Sequence, residues 1–454
     1  MKKIYTFLSF FLVFVVNAQY QRSIIANTNT AGAYGLLEKD VDGDGIIDLL
    51  GASEIDNTVS YFINDGSGHF TQTIIDNDLT GARFIDGADF DGDGDMDFAA
   101  TGSTELVWYR NDNGTFVKTI VASGLNDPRQ VRLIDVGSLL DPGTPDGDID
   151  IGILKSGDNA ASLYMNDGSN NFSLLNIISI NDPRYLHGGD FNSDGTDDLV
   201  VTSYTNNQIV WYKLGSFGFV EAGTIVTGFN GAFGVEGGDI DLDGDDDIIA
   251  TAFLDNEVAW FENTDGTGTN FTKHTIDNNL PGASYVHWLD IDNDGDKDIV
   301  ATGYGTTSGG SVTNSQVVIY YNDGAQNFTK TIIDTASLGA ATFSVRDFNG
   351  DNQYDIAVAA SASNEFVLLS QNTGAISNQR LQTIRLYPNP VKGQFFVRPE
   401  ESIRKIQIFD ITGRQIINTT QYQIDMQAYP NGYYLVKISL KDGEDITKKI
   451  LVLH

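Results

Sequence analysis

Residues Asp40 to Asp48 read DVDGDGIID, and the reading of this nonapeptide decides the fold. The carboxylates of Asp40, Asp42 and Asp44 alternate along the chain. Gly43 and Gly45 let the backbone curl tightly enough to turn all three inward. The carbonyl of Ile46 offers a fourth oxygen, and Asp48 closes the shell. Like charges packed this closely need an opposite charge between them. A donor set made only of oxygens, most of them anionic, suits calcium; magnesium demands stricter octahedral geometry and keeps more water. A single copy reads equally well as a solvated acidic turn.

The loop is not single. DFDGDGDMD supplies Asp89, Asp91, Asp93, Asp95 and Asp97, and DIDLDGDDD supplies Asp239, Asp241, Asp243, Asp245 and Asp247. DIDNDGDKD supplies Asp290, Asp292, Asp294, Asp296 and Asp298. DFNSDGTDD gives Asp190, Asn192, Asp194, the Thr196 carbonyl and Asp198; DFNGDNQYD gives Asp347, Asn349, Asp351, the Gln353 carbonyl and Asp355. A damaged copy starts at Asp135 and ends with Asp146, Asp148 and Asp150, its third-position ligand lost or replaced by Asp141. Asn352 stands where the other loops have glycine, which predicts weaker binding in that copy. The copies recur about every fifty residues, so about six or seven calcium ions are expected, one per loop. An EF-hand loop continues to a glutamate at its twelfth position between helices; this one closes at the ninth and enters a strand.

Each loop is followed by a short apolar run such as DLLGAS or DIIATA, too short for a helix. An aromatic strand follows (LVWYRND from Leu106, VAWFEN from Val258), then a turn carrying Asn, Asp and Gly, then a fourth strand such as FTQTII from Phe70. Four strands per repeat predict an all-β chain, a seven-bladed β-propeller over residues 19–375. The seventh copy stops after FVLLSQNTG from Phe366. YQRSII from Tyr20 matches FTQTII position by position, so the N-terminal strand is expected to complete the last blade and remove a free edge.

Composition sets the class. The chain carries 62 acidic and 27 basic residues, formal net charge -35, which excludes a nucleic-acid footprint. There is no cysteine, so disulfides, thiolate zinc sites and cysteine nucleophiles are excluded. Lys2, Lys3, the apolar run Ile4 to Val16 and the small-residue site ending at Ala18 read as a signal peptide over residues 1–18. That run is shorter than a spanning helix needs, and no transmembrane helix is expected elsewhere. Residues 376–383 read as a linker. Residues 384–454 hold FFVRP, KIQIFD, YYLVKISL and KKILVL, which predict a small antiparallel, immunoglobulin-like β-sandwich.

The repeats resemble the FG-GAP or VCBS repeat family, the propeller type of the integrin α-chain head. The resemblance implies calcium in the hairpin between the first two strands of each blade, where it stabilises rather than reacts. The C-terminal region resembles the type A sorting domain of the bacterial type IX secretion system, on Leu386-Tyr-Pro-Asn-Pro390, IQIFDITGRQI from Ile406, YPNGYYLVKI from Tyr429 and the terminal KKILVL. This implies the type IX machinery as a partner and a secreted or outer-surface location on a Gram-negative cell. The sorting domain is usually removed there.

Six positions before the first aspartate of each loop stand Tyr34, Arg83, Arg129, Arg184, Phe233, Ser284 and Ala341. Three consecutive arginines there suggest a basic, aromatic arc for an anionic glycan; the plainer expectation is that they pair with nearby acidic residues. Three positions before it stand Leu37, Asp86, Arg132, His187, Glu236, His287 and Ser344, expected to line a central channel. The expected function is a monomeric, non-catalytic binding or adhesion module for an extracellular glycan or surface protein, with Arg83, Arg129, Arg184, His187 and His287 as ligand contacts and no catalytic residue. The alternatives are an inert coat protein and a lyase acting on uronic-acid polymers through Arg184, Tyr185, His187, Tyr285 and His287.

Overall fold

The computed structural model describes residues 19–112, 114–135, 147–215, 218–372, 385–387, 391–398, 403–410, 413–441 and 445–453. The signal peptide over 1–18, Asp141, Asp146 and the linker over 376–383 lie outside the described residues. Every regular element among the described residues is a β-strand. No helix there is long and apolar enough to cross a membrane. The chain divides into two compact units, up to Asn372 and from Thr373.

The first unit is built from four-stranded antiparallel sheets, all but the last taking their strands in chain order. Sheet I is Ala33–Lys39, Asp48–Ser53, Thr58–Asn64 and Phe70–Asp76. Sheet II is Phe84–Ala88, Asp97–Thr101, Glu105–Asp112 and Thr115–Ser123; sheet III is Pro128–Ile134, Asp150–Lys155, Ala160–Asn166 and Phe172–Ser179. Sheet IV is Pro183–Gly189, Asp198–Ser203, Gln208–Gly215 and Gly218–Thr227; sheet V is Ala232–Gly238, Asp247–Ala252, Glu257–Asn263 and Phe271–Asp277. Sheet VI is Ala283–Leu289, Asp298–Gly303, Gln316–Asn322 and Phe328–Asp334. Sheet VII is Ala340–Arg346, Asp355–Ala360, Glu365–Asn372 and, as its outer strand, Gln19–Ala26 from the other end of the unit. Tyr20 opposes Gln371 there, as Phe70 opposes Asn64 in sheet I.

The first strand of each sheet packs beside the first strand of the next, and that of sheet VII packs beside that of sheet I, so the contacts form a closed circuit. Second strands are buried on both faces, all six residues of Asp48–Ser53 and of Asp247–Ala252 included. This is why they read as continuous apolar runs and not as alternating ones. Aromatic rings carried on adjacent sheets meet between them, as where Phe62 meets Phe366 at 5.0 Å. Fourth strands are outer edges, and their pairing slips at a recurring irregularity, between Val59 and Ser60, Leu106 and Val107, and Val258 and Ala259. Such slips blunt an edge against pairing with another chain.

The second unit holds a three-stranded sheet of Arg385–Tyr387, Gln394–Arg398 and Gln423–Asp425. A four-stranded sheet runs in the order Gln415–Thr419, Ile403–Phe409, Gly432–Leu440, Asp445–Val452. Their shared core includes Phe395, Ile406, Ile408, Val436, Ile438 and Ile450, all fully buried.

Candidate metal centres and the central cavity

Each acidic loop joins the first strand of a sheet to the second. Its curl is set by backbone donors on the first aspartate: Gly43 N–H donates to one Asp40 oxygen at 2.8 Å and Gly45 N–H to the other at 3.0 Å. The same pair recurs at Asp89 from Gly92 and Gly94, and at Asp347 from Gly350 and Asn352. The sixth position needs a positive φ, 84° at Gly45 and 104° at Gly295. Asn352 meets the same demand at 65°, being one of the few residues with a side chain that tolerates this region. The fourth position is positive as well, 75° at Gly43 and 74° at Gly92, and Leu242, at 64°, holds it there with a branched side chain, a local strain placed within a candidate site.

The curl gathers the carboxylates. Ligand oxygens of Asp40, Asp42 and Asp48 lie within 4.8 Å of one another, as do those of Asp89, Asp91 and Asp97, and those of Asp239, Asp241 and Asp247. In the loop from Asp290 the gathered set is Asp290, Asp292 and Asp294. Fifth-position aspartates spend an oxygen on the loop itself, Asp44 accepting from Ile46 N–H at 2.8 Å.

The ninth-position aspartates are buried, and in several loops they accept two backbone donors. Asp247 takes Ile240 N–H at 3.1 Å and Asn263 N–H at 2.8 Å; Asp48 takes Val41 N–H at 3.1 Å and Asn64 N–H at 2.8 Å. Burial nonetheless pushes Asp48 up to about 6 and Asp247 to about 7, with neighbouring carboxylates adding to it despite these donors. Asp97, Asp298 and Asp355 rise for the same first cause. One oxygen each of Asp241 and Asp245 is buried with no hydrogen-bond partner. Orphaned, mutually repelling hard oxygens are the signature of a set that fits a divalent cation of the calcium type.

The remaining copies differ in detail. Asn192 donates its side-chain amide to Asp198 at 2.8 Å and Asn349 to Asp355 at 3.1 Å, while their amide oxygens accept Asp194 N–H at 2.9 Å and Asp351 N–H at 3.0 Å. In the interrupted copy, Gly147 N–H still reaches Asp135 at 3.0 Å across the insertion. The sequence reading missed one group of residues, the asparagines at or next to the end of third strands, Asn64, Asn111, Asn166, Asn263 and Asn322. Asn64 donates its amide to Ile47 O in its own loop and to Phe348 O in the loop of sheet VII; Asn263 does the same to Asp246 O and to Phe191 O of sheet IV. Asn64 and Asn263 thereby tie an acidic loop to that of a neighbouring sheet. Their recurrence in the Asn-Asp-Gly turns was the available signal.

The three arginines of the supposed arc are matched by carboxylates. Arg83 pairs with Glu54 and, at 2.7 Å, with Asp127; Arg129 pairs with Asp127 at 2.8 Å and Arg184 with Asp182 at 2.9 Å. Arg184 also stacks over the Tyr204 ring at 4.5 Å. From there a row of half-buried rings crosses sheets IV to VI: Tyr204 to Phe233 at 6.2 Å, Phe233 to Phe253 at 5.6 Å and Phe253 to Tyr304 at 6.1 Å.

First strands from all seven sheets line one cavity of about 210 Å³. Of the residues expected in a central channel, Leu37, Arg132, Glu236, His287 and Ser344 line it, joined by Tyr185 and Tyr285. His187 lines a separate, more apolar cavity beside sheets III and IV. Burial lowers the pKa of His187. That of His287 is raised: burial acts downward, but the hydrogen bond and charge of Glu236, 2.7 Å away, outweigh it.

The comparisons with known proteins agree with the repeats. The FG-GAP-like repeat family matches residues 40–100, 89–137, 190–250 and 239–301. The secretion system C-terminal sorting domain family matches residues 385–453. No curated protein matches the chain. Among solved structures, an Agrocybe aegerita lectin described as recognising non-reducing terminal N-acetylglucosamine is 18% identical, with 78% of this chain and 86% of that one covered and a TM-score of 0.47. The extracellular domain of a hybrid two-component system protein from B. thetaiotaomicron is 11% identical at a TM-score of 0.47; the match covers 96% of this chain but 57% of that one. The chain thus carries FG-GAP-like repeats followed by a type IX secretion sorting domain, which implies export to the cell surface or the extracellular space.

Proposed function

We propose that the mature chain is a calcium-stabilised, seven-bladed β-propeller over residues 19–375 that binds extracellular glycans without catalysis. In this reading residues 1–18 are a signal peptide, and residues 384–454 an immunoglobulin-like sandwich that engages the type IX machinery. Six or seven loops each hold one calcium through their first, third and ninth residues, with the fifth position and the seventh-position carbonyl completing the shell. The ion's role is to cancel the repulsion among buried carboxylates, as structural metal does when it binds the native state alone.

The observation that carries glycan binding is the aromatic row Tyr204, Phe233, Phe253 and Tyr304 with Arg184 stacked at its end. Half-exposed rings offer flat apolar area to the C–H faces of sugars, and polar edges fix orientation. The test is a glycan array on the calcium-loaded chain and on Tyr204→Ala and Phe253→Ala. Each substitution should weaken any bound glycan about tenfold or more, the loss of one good stacking contact. Unchanged binding in both would overturn the assignment.

A lyase reading is favoured by one observation, that Arg132, Tyr185, Tyr285 and His287 line a single cavity. Incubation with uronic-acid polymers should yield no ultraviolet-absorbing unsaturated ends. Their accumulation would make the protein an enzyme.

A further inference from the structure

We propose that the cavity enclosed by the seven first strands binds a single carboxylate-bearing sugar ring, a uronic acid, with Arg132 holding the carboxylate. This rests on the glycan-binding reading and moves its acidic specificity from the rim into the cavity. The charged groups around the cavity are matched, with one exception. Glu236 is held by His287 at 2.7 Å, Arg346 lies 3.7 Å from Glu38, and Asp86 accepts Leu133 N–H and Gly87 N–H, each at 2.9 Å. Arg132 has no carboxylate at ion-pair distance among the described residues; it hydrogen-bonds the Tyr285 hydroxyl, while Asp86 and Glu236 act on it only through space. Beside it, the Tyr185 hydroxyl is buried and has no hydrogen-bond partner, although the residue is only 3% exposed. A buried hydroxyl left unpaired is costly unless a ligand or water completes it.

Shape and wall chemistry narrow the occupant. At about 210 Å³ the cavity has room for about seven waters of ~30 Å³ each, hence for one six-membered ring and not a chain. One wall is aromatic: Phe84 meets Tyr185 at 5.7 Å, Tyr185 meets Tyr285 at 5.4 Å and Tyr285 meets Phe343 at 5.1 Å. Such a wall suits the C–H face of a pyranose. One guanidinium offers a fork for one carboxylate, and the nearby Asp86 and Glu236 disfavour a dianion such as phosphate. Solvent reaches the interior, since the His287 side chain is 39% exposed although it lies among the first strands.

Isothermal titration of the calcium-loaded full chain tests this, with D-glucuronate, D-galacturonate, D-glucose and inorganic phosphate as probes. At least one uronate should bind, with glucose and phosphate weaker by about tenfold or more, the worth of a charge-assisted pair. Arg132→Gln should weaken uronate by about tenfold, and Tyr185→Phe by severalfold at an unchanged melting temperature. No heat with either uronate, phosphate binding as tightly as uronate, or unchanged affinity in Tyr185→Phe with a folded Arg132→Gln would each overturn the proposal. Array binding that survives in Arg132→Gln while free uronate binding is lost places the two sites apart. Array binding lost in Tyr204→Ala with uronate affinity intact does so from the other side.

Discussion

At the residue scale, Asp247 shows what the ninth position does. It is fully buried, two backbone N–H groups depend on it, and its neighbours Asp241 and Asp245 leave oxygens unpartnered. Asp247→Asn keeps the volume but can accept at most one of the two bonds in its native pose. The variant should bind one calcium fewer by elemental analysis and lose about 1–3 kcal/mol in denaturant unfolding at saturating calcium. An unchanged ion count would show that this loop holds no metal. The alternating carboxylates were legible because charge spacing within nine residues is local chemistry. The role of Asn263 was not, since its amide bonds Phe191 O, 72 positions away in another sheet. Nor could spacing tell Arg132, within a first strand, from Arg83, just before one: only the contacts show Arg83 paired with carboxylates and Arg132 without an ion pair among the described residues.

At the element scale, neighbouring sheets are clasped at their outer corners by a repeated arrangement. Asp76, ending sheet I, accepts from Tyr109 and, at 2.7 Å, from Lys118 of sheet II. Asp277 of sheet V accepts at 2.7 Å from both Tyr320 and Lys330 of sheet VI. Burial would raise Asp76, but hydrogen bonds around it, Lys118 and Tyr109 among them, outweigh that and hold it at about 2. A folded pKa below the unfolded one, near 3.9, contributes stability that is present above about pH 4 and lost as pH falls toward 2. In chelator, melting temperature should therefore fall over that window, and Asp76→Asn should flatten part of the fall; an identical slope in the variant would contradict the clasp. The outer strand Gln19–Ala26 is the other element on which closure depends, pairing with Glu365–Asn372. Its contribution was legible from the match of YQRSII to FTQTII, because a missing fourth strand and a spare first one are complementary facts of sequence. Deleting residues 19–26 should lower the melting temperature and produce concentration-dependent association by size-exclusion chromatography, since an apolar strand edge is then unpaired. A monomeric variant of unchanged melting temperature would show that the strand is dispensable.

At the scale of the whole molecule, the formal net charge of -35 is the quantity to be explained. Self-repulsion of this size opposes compaction, and the gathered carboxylates concentrate it at the turns where each sheet begins. In the proposed calcium-loaded form, a cation in each loop would convert that cost into cross-links between successive strands, and through asparagines such as Asn64 between neighbouring sheets. An ion present at about a hundred times its Kd adds about 2.7 kcal/mol by mass action, so several together are comparable with the whole stability of an ordinary domain. The most direct test is elemental analysis of the purified mature chain, paired with thermal melts in calcium and in EGTA. Near one calcium per loop, six or seven per chain, with a melting temperature lowered by roughly 10 °C or more in EGTA, is the predicted result. A metal-free chain that melts at the same temperature with and without EGTA would contradict it.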